Sequence, residues 1–61
     1  MEKKIIKYLQ EEVVNHWKEA IEDGDDFGKD FYNCRWLNCK RMAEYVLGKE
    51  VTIKHWEVIV K

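Results

Sequence analysis

The chain has 61 residues, 46% of them hydrophobic and 38% charged, with a formal net charge of −1. That length allows one domain and excludes a deep core, because a domain this small hides only about 60% of the surface its unfolded chain exposes. The apolar share excludes a disordered tail, and the near-neutral charge excludes a general pull toward nucleic acid or anionic membrane.

The sequence predicts a first helix over residues 3–22. Ile6, Leu9, Val13, Trp17 and Ala20 recur at the three- and four-residue spacing of one helical face. Lys4, Lys7, Glu11, Lys18 and Glu22 take the opposite face. Residues 23–30 (DGDDFGKD) are the one strong break, with Gly24 suited to a helix end and Asp30 suited to an N-cap.

A second helix is predicted over 31–47, with Tyr32, Trp36, Cys39, Ala43 and Val46 as its apolar stripe, Met42 and Leu47 beside it, and Gly48 ending it. The short connection implies an antiparallel helical hairpin, with Trp17 and Trp36 in a common core. Residues 50–60 are rich in Val, Ile and Thr, which argues against a third helix and predicts one C-terminal β-strand. The expected fold class is α+β, in the order α–α–β.

Read as one strand, that segment places Val51, Ile53 and Ile59 on one face and Trp56, Val58 and Val60 on the other. Two helices cover only one such face. The expected outcome is a homodimer through the C-terminal strand, with the two-fold axis at Trp56, or pairing with an unidentified protein target. Trp56, Ile53, Val58, Ile59 and Val60 are therefore the candidate protein-binding residues.

The chemical motifs are weak. Asp23, Asp25, Asp26 and Asp30 surround a glycine as calcium ligands do, but Phe27 and Cys34 stand where further oxygen ligands belong. Cys34, Cys39, His16 and His55 could ligate zinc, yet neither of the usual pair spacings occurs. Cys34 near a helix start could be a nucleophile, but Asp26 and Asp30 oppose a thiolate there. Free, buried, structural thiols are the simpler expectation, and no metal, cofactor or catalytic group is expected.

Arg35, Asn38, Lys40 and Arg41 lie on the second helix and are the candidate nucleic-acid-binding residues of the alternative reading, a small DNA-binding transcriptional regulator. An acidic loop and a long turn count against it. No run is apolar enough to span a bilayer, so a cytoplasmic protein is expected, of a cell or of an infected host. The leading expectation is a non-enzymatic protein–protein interaction module, a regulator or inhibitor of the size that phages encode.

Overall fold

The computed structural model describes residues 1–61 and is a small α+β domain: two helices, then a two-stranded antiparallel hairpin. The first helix, α1, is built of three segments: α-helical Glu2–Tyr8, π-helical Leu9–Val14 and α-helical Asn15–Glu22. The Asn15 N–H donates to the Gln10 carbonyl five residues back, the bond that defines the wide turn. The sequence explains the widening. Leu9 and Val14 are both fully buried, yet five residues apart in a regular helix would leave them about 140° apart. The wider turn brings them, and Val13 between them, under one core.

The second helix, α2, runs over Asp26–Leu47 and not from residue 31. The predicted loop 23–30 shrinks to Asp23–Asp25 because Asp25, not Asp30, is the N-cap: its carboxylate accepts from the Gly28 N–H at 2.9 Å. Gly28 also lies where the two helices come close. A methyl group there would meet the Ala20 methyl at 3.2 Å and the Asp25 cap at 2.5 Å. Gly48, at φ 65°, ends the helix in the left-handed conformation expected of a glycine after a helix.

The single strand 50–60 is corrected to a hairpin, β1 (Val51–Lys54) and β2 (Glu57–Val60), in the register Val51↔Val60, Thr52↔Ile59, Ile53↔Val58, Lys54↔Glu57. His55 and Trp56 form the turn with φ of 54° and 62°, the left-handed pair of a type I′ turn. Neither is glycine, so composition alone concealed the turn. A two-residue turn flips side-chain parity, which resolves the two half-apolar faces. Val51, Ile53, Val58 and Val60 now share the inner face and pack on the core, leaving Thr52, Lys54, Glu57 and Ile59 outside. The dyad expected at Trp56 has no strand to act on, since Trp56 holds the turn.

A lone hairpin is marginal in water, and here two side chains hold its opposite edges. From the wide turn, Gln10 donates through Nε2 to the Trp56 carbonyl and accepts the Val58 N–H at Oε1, both at 2.8 Å. From α2, Glu44 Oε2 accepts the Val51 N–H at 3.0 Å. Each takes the place of a missing strand. Trp56 also meets Trp17 edge to face, 5.3 Å between centroids and 83° between planes.

Candidate functional site

α2 is apolar on two sides. Its inner side carries Trp36, Ala43 and Leu47 into the core. Its outer side carries Phe27, Phe31, Cys34, Asn38, Met42 and Tyr45, spaced by three and four residues and so aligned in one stripe. Phe27, Met42 and Tyr45 are 84%, 65% and 87% exposed. Single exposed apolar residues are ordinary, but a line of them from Phe27 to Tyr45 makes one continuous exposed apolar stripe along the helix. At the N-terminal half of the stripe Phe27, Asp30, Phe31, Cys34, Arg35 and Asn38 line one shallow depression.

Beside the stripe lies a groove of about 410 Å³ between the start of α1 and the end of α2. Ile5, Tyr8, Leu9, Met42 and Val46 line it, with Lys4 at its rim. It lies across the helix pair from the hairpin. Glu44 holds β1, and Val46, two residues on, points about 200° round the helix into the groove. Tyr8, which lines the groove, is itself held by Arg35, whose guanidinium donates to the Tyr8 hydroxyl and lies 5.7 Å from the centre of that ring. That hydrogen bond is the main cause that raises the Arg35 pKa above its ordinary value.

The residues expected to bind protein fall differently. Ile53, Trp56, Val58 and Val60 are packed against this chain's own core, and only Ile59 faces outward, half-buried. The four candidate nucleic-acid residues do not share a face. Arg35 is engaged with Tyr8, and Lys40 pairs with Glu44 at 3.3 Å on the hairpin side, while Asn38 and Arg41 are exposed.

The metal sets are dispersed as well. Cys34 is exposed on the stripe and Cys39 is half-buried at the groove, so the expectation of two buried thiols holds for neither in full. His16 stacks on Tyr32 and His55 sits in the hairpin turn. No three His, Cys, Asp or Glu side chains converge as metal ligands would. Starting α2 at Asp26 also moves Cys34 into the third turn, out of reach of the helix dipole.

Sequence reasoning missed the outer stripe. Its signal was present, as Phe27, Phe31 and Cys34 repeat at four and three residues. It is masked because the predicted loop 23–30 takes in Phe27. No family model, characterised protein or solved structure matches the chain, and no helix is long and apolar enough to cross a membrane.

Proposed function

We propose that the chain is a small, non-enzymatic protein-binding module, a regulator or inhibitor that works by occupying the surface of a partner protein. The observation that carries this reading is the open apolar groove between α1 and α2. Its shape suits an amphipathic helix of the partner, which would lay its apolar side on Ile5, Met42 and Val46. Lys4 at the rim favours a helix with acidic residues flanking that side. The two groups with displaced titration, Arg35 and Glu44, are displaced by contacts within the chain, with Tyr8 and with Val51 and Lys40.

The test compares the chain with its Val46→Asp variant as baits in a lysate of the native host, with cross-linking to locate the contact. Val46 is exposed, so the variant should fold. A protein captured by the unaltered chain, lost with Val46→Asp and cross-linked through a helix supports the reading. Equal capture by both baits, or retention of nucleic acid alone, overturns it.

A further inference from the structure

We infer that the outer stripe of α2 is a self-association seam, on which the α2 of a second copy lies antiparallel. The stripe borders the groove and shares Asn38 and Met42 with it, but the inference stands on Phe27, Phe31, Tyr45, Asp30 and Arg41, which lie outside the groove. Three observations single out a second copy as the occupant. First, α2 is 22 residues, about 33 Å, as long as the molecule's 34 Å axis, so the stripe offers a straight seam from end to end. Second, the stripe is self-complementary about its middle. A two-fold axis at the level of residue 36 sets Phe27 against Tyr45 of the other copy, nine residues either side, and Phe31 beside Met42. These are aromatic–aromatic and sulfur–aromatic contacts.

Third, charge is arranged for this orientation alone. Asp30 and Arg41 flank the stripe on the same side, six residues before and five after that midpoint. Both are exposed and neither has an ion-pair partner within its own chain. In one helix they stand eleven residues apart, about 16 Å, beyond mutual reach. In an antiparallel pair, residues on the same flank face each other, so each Asp30 meets Arg41 of the other copy, twice per dimer. A parallel pair would put the two Asp30–Arg41 flanks on opposite sides of the seam and leave all four charges without that partner. The antiparallel arrangement also opposes the helix dipoles favourably.

The experiment is a charge exchange read by sedimentation mass. At micromolar concentration the unaltered chain should show twice the chain mass. Asp30→Arg alone sets two arginines against each other, and Arg41→Asp alone sets two aspartates. Each variant should dimerise at least tenfold more weakly while keeping its helical circular dichroism. An equimolar mixture of the two satisfies both pairs and should recover the dimer, as should the double variant. Val46→Asp, which disarms only the groove, should leave the dimer intact. A monomeric unaltered chain overturns the inference. So does a dimer that ignores the single exchanges, or a mixture that stays monomeric, since either places the contact elsewhere on the molecule.

Discussion

Glu44 is the residue that ties the second helix to the hairpin. Its carboxylate accepts the Val51 N–H at 3.0 Å and pairs with Lys40 at 3.3 Å, fastening the hairpin to α2. The Val51 hydrogen bond, and after it Lys40, holds the Glu44 pKa below a carboxylate's ordinary 4.5. A carboxyl group whose folded pKa lies below its unfolded value stabilises the fold fully above the unfolded value, and that contribution fades as pH falls through the folded one. Unfolding by urea should therefore be compared for the chain and for Glu44→Gln across the acid range. The variant should be less stable at neutral pH, and the gap should close below pH 4.5. A gap that is constant from neutral pH into strong acid would mean that the carboxylate charge contributes nothing to holding β1.

At the scale of elements, the wide turn in α1 makes a demand that can be tested by deletion. The segment Leu9–Val14 accommodates one residue more than a regular helix would, and the flanking segments keep their common face because of it. Removing exposed Glu12 should convert the segment to ordinary α-helix, with Leu9, Val14 and Trp17 still inward. Removing Lys18, equally exposed but in regular helix, should turn everything beyond it by about 100° and drag Ala20 off Gly28. Thermal unfolding followed by tryptophan fluorescence should show a cooperative transition for the first deletion and a lost or strongly lowered one for the second. Equal damage from both would show that the wide turn does not set the phase of the helix. The same scale shows what was legible in the sequence. The helices were, because Leu9, Val13, Trp17 and Trp36, Ala43 repeat at helical spacing. Val14 was not, because its burial depends on a wide turn that a regular period cannot express. The hairpin was half legible: β-branched residues marked extended backbone, but a turn made by His55 and Trp56 carries none of the glycine or asparagine that usually announces one. Missing that turn left two apolar faces where the fold has one, and so sent the candidate binding residues to Ile53, Trp56, Val58 and Val60, which are half-buried against this chain's own core. The outer stripe of α2 was hidden as well, because α2 begins five residues earlier than the Asp30 cap implied.

For the whole molecule the balance between core and surface sets how stability is supplied. Only 8 of 61 residues are buried, while Phe27, Met42, Tyr45 and Leu37 stand at least half exposed. A domain of this size has little stability to spare. The hairpin edges are not where the shortfall is made up: the strands have four residues each, and Lys54, Glu57 and the Gln10 and Glu44 side chains blunt them. The α2 stripe is the larger reserve of uncovered apolar surface. If two copies share it, folding and association are linked, and the melting temperature must depend on concentration. A tenfold rise in concentration adds about 1.4 kcal/mol per dimer, or about 0.7 per chain, which for a domain of this size raises the midpoint by about 3–6 °C. Asp30→Arg should melt lower and show a flat dependence over the same range, because the variant populates monomer throughout. Scanning calorimetry over two decades of concentration decides it. A midpoint independent of concentration for the unaltered chain would mean that the two helices and their clasped hairpin are stable alone, with the exposed stripe contributing nothing to the fold.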